Sequence, residues 1–81
     1  MKEVRVYIQL KQGILDPQGK AVSGALQQLG FPVNGARVGK EIVLEIEADT
    51  DQQALELAEE MCRKLLANPV VEDFRCTLGE G

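Results

Sequence analysis

Residues 3–11, EVRVYIQLK, alternate strictly between polar and apolar side chains. Successive side chains of a β-strand point to opposite faces, so this alternation predicts a strand with one buried face. The buried face is formed by Val4, Val6, Ile8 and Leu10. The rest of the fold has to cover this apolar face.

A first helix is predicted to begin at Asp16 and Pro17. Asp is a preferred N-cap, and Pro at the first helical position loses no hydrogen bond. Helical spacing relates the apolar residues Ala21, Val22, Ala25, Leu26 and Leu29. Gly30 is a natural stop, whereas Gly19 and Gly24 weaken the helix, which therefore depends on packing. Gly24 also permits close approach of another backbone, from this chain or from a second subunit.

The middle of the chain is rich in turn-forming residues. Residues 31–35, FPVNG, predict a connector, residues 36–38 a short strand and residues 39–40 a two-residue turn of the Gly-X type. Residues 41–47, EIVLEIE, alternate again and predict a longer strand. Its inward side chains are Ile42, Leu44 and Ile46.

A second helix is predicted from its end signals. Thr50 and Gln53 fit a capping box, and residues 68–69, Asn-Pro, end the helix because a residue before proline avoids the helical region. Its expected inward stripe is Ala54, Ala58, Met61, Cys62 and Leu65. A final strand begins at residues 70–71 and carries the inward residues Phe74, Cys76 and Leu78. We expect residues 79–81 to fray.

These elements predict an α+β fold with the order β-α-β-β-α-β, in which the second strand is short. We expect a two-layer sandwich with a mostly antiparallel sheet and both helices on one face, in a single domain over residues 1–81. The other sheet face is mixed and carries Arg5, Tyr7, Gln9, Val43, Glu45, Arg75 and Thr77. Such a face is either solvated or a surface for a partner.

The composition excludes several classes of function. The 81 residues include nine Lys and Arg against thirteen Asp and Glu, for a net charge of −4. This balance argues against a binder of nucleic acid or of anionic membranes, since both need a basic surface. No signal-peptide core is present, and no apolar run reaches the roughly 20 residues of a membrane span, so we expect a cytoplasmic protein. So small a domain buries a modest core, which favours a dimer or larger assembly.

The reactive side chains are few. Cys62 and Cys76 fall on apolar faces and are interpreted as buried thiols, with a disulfide or a reactive thiol as the alternative. The chain has no histidine, which argues against a zinc site and excludes Ser-His-Asp and Cys-His catalysis. No phosphate-binding loop or dinucleotide fingerprint is present. We therefore predict no catalytic residue, no cofactor and no metal.

Two short segments combine positive charge with turn-forming residues. Lys11 and Lys20 flank the predicted helix start, where free N–H groups and Lys20 could hold an anion, although a helix cap is the favoured explanation of Asp16 and Pro17. Arg37 and Lys40 surround the predicted tight turn. They are either exposed turn charges or contacts to a partner or a phosphate.

Three segments in this order and spacing carry a family resemblance: residues 11–21 (KQGILDPQGKA), 37–40 (RVGK) and 62–74 (CRKLLANPVVEDF). Together they resemble the PurS family, the small subunits of phosphoribosylformylglycinamidine synthase, over nearly the whole chain. Residues 31–35 are less acidic than is typical of that family. Glu41 stands where the family commonly has a larger apolar or aromatic residue.

The resemblance implies a non-catalytic assembly subunit that couples a glutaminase subunit to a large ATP-dependent synthetase subunit. That complex would convert a formylglycinamide ribonucleotide to the amidine in purine (IMP) biosynthesis, with ammonia from glutamine. The implied partners are a second copy of the chain and these two subunits. The candidate partner contacts are Lys11, Asp16, Gln18, Lys20, Arg37, Lys40, Asn68 and Asp73.

Two other classes of function stay open at this point. The first is a regulatory α+β module that senses a small metabolite, which would bind at the Asp16-Pro17 helix start and at the turn between Arg37 and Lys40. The second is a small enzyme such as a phosphatase, which the empty catalytic inventory disfavours.

Overall fold

The computed structural model describes residues 1–79 and confirms the α+β class. The elements in chain order are β1 (Lys2–Leu10), α1 (Pro17–Gln28), β2 (Lys40–Ile46), α2 (Asp51–Met61), a π-helical turn (Cys62–Leu66) and β3 (Glu72–Leu78). Gly79 donates its N–H to the Glu3 carbonyl oxygen over 2.8 Å. The fraying predicted for residues 80 and 81 lies outside the described residues.

The three strands form one antiparallel sheet in the order β2-β1-β3. The strictly alternating first strand is therefore central, and Val6 lies between Ile42 on β2 and Cys76 on β3. The inward side chains of β1 form the centre of the core. Val4, Val6 and Ile8 are at most 1% exposed.

Helix α2 covers the apolar face of the sheet. Its buried residues Ala54 and Ala58 and the buried Cys62 directly after it recur every fourth position and form one line. These side chains are small, so the helix lies close to the strands. Thr50 caps the helix by accepting the Gln53 N–H over 3.1 Å, while the Gln53 side chain accepts the Asp49 N–H over 2.9 Å.

The prediction that Met61 and Leu65 point inward is wrong. Met61 is 37% exposed and Leu65 is 83% exposed. The line through Ala54, Ala58 and Cys62 occupies the side of the helix that faces the sheet. After Cys62 the helix widens, because the Ala67 N–H donates to the Cys62 carbonyl oxygen five residues earlier, over 3.0 Å.

The short strand predicted at residues 36–38 does not form, nor does a two-residue turn at residues 39–40. Residues 31–39 have no regular structure, and β2 begins at Lys40. The Val38 N–H, which a strand would use for pairing, instead donates to the Asp16 carboxylate over 2.9 Å. The Asp16 carboxylate, distant in sequence, thus accepts the hydrogen bond that a neighbouring strand would otherwise have accepted from Val38.

The prediction that both helices cover one sheet face is also wrong. Only α2 packs extensively against the strands, while α1 lies beyond the end of β1 in a molecule of 50 × 29 × 14 Å. Three strands spaced about 4.8 Å apart are as wide as one helix of about 10 Å diameter. Without the fourth strand, the sheet has no room for a second helix beside α2.

Candidate partner-contact site

Asp16 joins the start of α1 to the connector that follows the helix. One carboxylate oxygen accepts the Gly19 N–H over 2.8 Å, and the other accepts the Val38 N–H over 2.9 Å. The Gly19 bond, and then the Val38 bond, hold the pKa of this carboxyl below its ordinary value. A Cβ atom at Gly19 would collide with the Ala36 carbonyl oxygen, so glycine is what permits this close approach.

Two further contacts attach this region to the sheet. Lys11 Nζ lies 2.9 Å from the Asp73 carboxylate, across the ends of β1 and β3. The Arg37 guanidinium donates to the Leu10 carbonyl oxygen at the end of β1. The connector is thus bonded both to the helix start and to the central strand.

Glu72 is a polar residue of this region that the sequence reasoning missed. Its carboxylate accepts the Asn68 N–H over 2.7 Å and lies 3.9 Å from Lys40 Nζ. Its side chain is 16% exposed, whereas that of Lys40 is 63% exposed. Its place at the start of the final strand, shortly after Asn68-Pro69, was the available signal, because its partner Lys40 is distant in sequence.

These contacts surround a cavity of about 300 Å³, which we call the helix-start cleft. The cleft is lined by Ile8, Leu10, Asp16, Pro17, Gln18, Val38, Gly39, Lys40 and Glu72. Of the eight predicted contact residues, Asp16, Gln18 and Lys40 line it, and Lys11, Arg37, Asn68 and Asp73 are bonded to its surroundings. Lys20 does not line the cleft and is exposed on α1.

A second surface, the apolar groove, lies on α2 away from the helix-start cleft. Its volume is about 490 Å³, and it is lined by Leu44, Leu57, Glu60, Met61, Lys64, Leu65 and Leu66. Leu57, Met61 and Leu65 recur every fourth position, as Ala54, Ala58 and Cys62 do on the buried line. This second stripe was the available signal, and the sequence reasoning merged it with the core.

The uncovered sheet face is held by contacts between its own side chains. The Arg75 guanidinium stacks 4.9 Å from the centre of the Tyr7 ring on the neighbouring strand. Arg5 lies between two carboxylates, 3.3 Å from Glu3 and 3.7 Å from Glu41. Glu41 is thus one of the two carboxylates that pair with Arg5 on this face.

The chemical inventory of residues 1–79 is small. No three His, Cys, Asp or Glu side chains in that range come together as a metal site. No helix within those described residues is long and apolar enough to cross a membrane. The Cys62 and Cys76 sulfurs lie 3.8 Å apart as free thiols. What the surface offers is a cleft lined by both charged and apolar side chains, an apolar groove and an exposed helix, which are features suited to binding.

Sequence comparison identifies a family. The family model described as "PurS: Phosphoribosylformylglycinamidine (FGAM) synthase" matches residues 3–80. A Bacillus subtilis protein, phosphoribosylformylglycinamidine synthase subunit PurS, is 46% identical over 81 residues, which cover 99% of this chain and 95% of the relative.

Solved structures agree with the sequence match. The PurS crystal structure from Methanocaldococcus jannaschii has a TM-score of 0.89 at 38% identity, covering 99% of this chain and 98% of that one. A chain in the structure of PurLQS from Thermotoga maritima also has a TM-score of 0.89, at 33% identity and 96% coverage of both chains. The fold and the sequence therefore indicate one family.

Proposed function

This chain belongs to the PurS family of phosphoribosylformylglycinamidine synthase, and from that premise we propose that it is the assembly subunit of such a synthase. In this role it couples the glutaminase subunit to the ATP-dependent synthetase subunit in purine biosynthesis. The similar chain in the structure of PurLQS from Thermotoga maritima is the observation that carries this function. The proposal includes a single PurS-like domain over residues 1–81 and a cytoplasmic location.

The exposed surfaces of the chain support a role in binding other proteins. Leu15 and Leu29 are each 73% exposed, and Phe31 is 55% exposed, all outside the core formed by the sheet and α2. The apolar groove adds a concave apolar surface beside α2. Surfaces of this kind on so small a domain are typical of protein contacts.

Reconstitution of the three-subunit synthase tests the assembly role. The synthetase and glutaminase subunits are mixed with and without this chain, and glutamine-dependent formation of the amidine is measured beside ammonia-dependent formation. We expect omission of the chain to abolish the glutamine-dependent rate, with a smaller loss of the ammonia-dependent rate, because coupling between the two subunits is lost. Unchanged glutamine-dependent activity without the chain would contradict the proposal.

For the partner contacts, we propose that the residues around the helix-start cleft touch the larger subunits. Lys20 is the most direct probe, because it is exposed beside the cleft and only its backbone N–H, which a substitution keeps, bonds to Asp16. We expect Lys20→Glu to weaken capture of the synthetase and glutaminase subunits in a pull-down containing glutamine and ADP. Lys2→Glu, at the opposite end of β1, is the charge-reversal control; it removes the 3.2 Å ion pair of Lys2 with Asp51 but should leave capture intact. Equal effects of the two variants would argue against this assignment.

For self-association, we propose that α1 contributes an interface with a second copy. Val22, Ala25 and Leu29 form one exposed stripe along α1, and an apolar helical stripe is normally covered. Nothing lies within 4 Å of a Cβ atom built at Gly24. The close backbone approach that glycine permits there is therefore not used by the described part of this chain, which favours the subunit contact.

Light scattering of paired variants tests the self-association. We expect the wild-type chain to have the mass of a dimer or larger, and Leu29→Asp to reduce it towards the monomer. Gln28→Asp adds the same charge one position earlier and should keep the wild-type mass. A monomeric wild-type chain, or equal behaviour of the two variants, would rule out α1 as the interface.

The metabolite-sensing module remains the second candidate function, and the helix-start cleft is the observation that favours it. The cleft combines Asp16 and Gln18 at the start of α1 with Lys40 and Glu72 in a concave site. Thermal shift of the isolated chain against a panel of amino acids and nucleotides separates the two candidates. A rise of several degrees with one metabolite would favour the sensor, because only bound ligand stabilises the folded chain.

A further inference from the structure

Cys62 and Cys76 are adjacent in the core although they lie on different elements. Cys62 begins the π-helical turn after α2, and Cys76 is in the middle of β3. Their sulfur atoms are 3.8 Å apart, and both are free thiols. Cys62 is fully buried, whereas Cys76 is partly exposed, so a reagent in solution reaches Cys76 first.

We propose that Cys62 and Cys76 are a modification site, an oxidisable dithiol that a low-molecular-weight disulfide converts into an intramolecular disulfide. A disulfide needs its sulfurs about 2.0 Å apart, so the observed pair has to close by a little under 2 Å. The two cysteines lie on parts of the chain that already pack together. Rotation of their two side chains therefore supplies a movement of that size. The new bond would join the end of α2 to the edge strand β3.

The reaction balances as two thiol–disulfide exchanges. The Cys76 thiolate attacks one sulfur of the reagent, breaks its S–S bond and releases one thiolate, which takes up the proton that Cys76 lost. The Cys62 thiolate then attacks the Cys76 sulfur of this mixed disulfide and releases the second thiolate, which takes up the proton from Cys62. The protein loses two electrons and two protons, and the reagent gains them as two thiols.

Burial makes this exchange slow. Desolvation raises the pKa of both thiols, that of Cys76 to about 12, so the reactive thiolate is scarce at neutral pH. Disulfides are rare in reducing compartments. The dithiol is therefore the resting form, and the disulfide forms under prolonged oxidising conditions.

Oxidation would raise the stability of the fold and fix one wall of the apolar groove. The new bond closes a loop between residues 14 positions apart, which restricts the unfolded chain. We expect the midpoint of thermal unfolding to rise by at least about 5 °C in the oxidised form. Met61, which lines the groove, directly precedes Cys62, and Leu65, which also lines it, is in the same π-helical turn, so the bond would also fix one wall of that groove.

The test incubates the full-length chain with oxidised glutathione and follows it by intact mass, thiol titration and thermal unfolding. The expected product is a single chain that has lost two hydrogen atoms, has no titratable thiol and unfolds at a higher temperature. Added dithiothreitol should restore the original mass and midpoint. This measurement needs no substitution, so it does not depend on whether a variant folds.

Two single variants separate the steps. Cys62→Ala keeps the accessible thiol and should stop at the mixed disulfide, with the added mass of one glutathione. Cys76→Ala keeps only the buried thiol and should not react while folded. The proposal is overturned if the wild-type chain keeps both thiols, accumulates the mixed disulfide, or forms a disulfide between two chains on a non-reducing gel.

Discussion

The two helices of this chain are similar as sequences and differ in their surroundings. Helix α1 has 12 residues and α2 has 11, and each begins with a side-chain cap, Asp16 in one and Thr50 in the other. Yet α2 buries a line of side chains on the sheet, and α1 buries only Gly19. Caps and apolar spacing thus specify that a helix forms, but not which surface covers it.

The contact that holds α1 explains this difference. Helix α1 is fixed at its first turn, through the bonds of Asp16 to Gly19 and Val38 and the close approach of Gly19 to Ala36. Helix α2 packs against the central strand and both of its neighbours. Consequently α2 contributes to the stability of the fold, whereas the rest of α1 is available to a partner.

Charge insertion into each helix should give the largest contrast. Ala58 is fully buried on α2, and Ala25 is exposed on α1. We expect Ala58→Asp to lower the free energy of unfolding by at least about 3 kcal/mol, because it buries a charge without a partner. Ala25→Asp should lower it by about 1 kcal/mol or less, which is the size of a helix-propensity difference.

Urea unfolding at low chain concentration measures both variants. Low concentration matters because an interface through α1 would add a concentration-dependent contribution to the stability. Similar losses for the two variants would mean that α1 is packed as firmly as α2, and the comparison of the helices would fail.

A second contrast lies within α1, between its two glycines. Gly19→Ala forces a Cβ atom into the Ala36 carbonyl oxygen, and we expect a loss of about 1–3 kcal/mol in the free energy of unfolding. Gly24→Ala meets open space in the single chain and should gain up to about 1 kcal/mol from helix propensity.

The Gly24→Ala variant also connects the stability of the chain to its assembly. If a second copy packs at Gly24, Gly24→Ala should reduce the mass measured by light scattering while it stabilises the monomer. A loss of stability in Gly24→Ala at every concentration would show that the helix is packed within the chain at that point.

The smallest expected effect is the pH dependence of the α1 cap. Hydrogen bonds from Gly19 and Val38 hold the pKa of Asp16 below its ordinary value of 3.8. A lowered folded pKa stabilises the fold above the pKa of the unfolded chain, and this stabilisation is lost as the pH falls through the folded value. Asp16→Asn should therefore lose stability near neutral pH and differ less from wild type once the pH has fallen below the folded pKa of Asp16.

Two measurements check this prediction. Carboxyl NMR gives the folded pKa of Asp16 directly, and acid unfolding of the wild-type and Asp16→Asn chains gives the linked stability. A stability difference that does not change between pH 6 and pH 2 would show that the charge of Asp16 is irrelevant to the cap.

The sequence patterns located the regular elements well. The alternation of residues 3–11 and 41–47 predicted β1 and β2 to within one residue at each end, and the caps at Asp16 and Thr50 placed both helix starts. The buried thiol at Cys62 is confirmed as well. These features depend on residues close together in the chain, so local periodicity and hydrogen bonding were sufficient.

The candidate site was predicted only in part. The eight candidate residues were chosen one by one, and the structure brings most of them around one cleft, but their contact with partners stays a prediction. Glu72 and the apolar groove were missed. The partner of the carboxylate, Lys40, and one wall of the groove, Leu44, are distant in sequence, and a linear pattern does not reveal such neighbours, although the helical stripe of the groove was visible.

The sequence by itself determined three alternating or extended strands, two capped helices, an acidic surface and a family. Only the tertiary structure decided that residues 36–38 bond to Asp16 rather than to a strand, and that α2 alone covers the sheet. The physical reason is competition for a limited surface. Periodicity states which side of an element is apolar, whereas the width of the sheet and the nearest hydrogen-bond acceptor determine which element is buried and which is left for a partner.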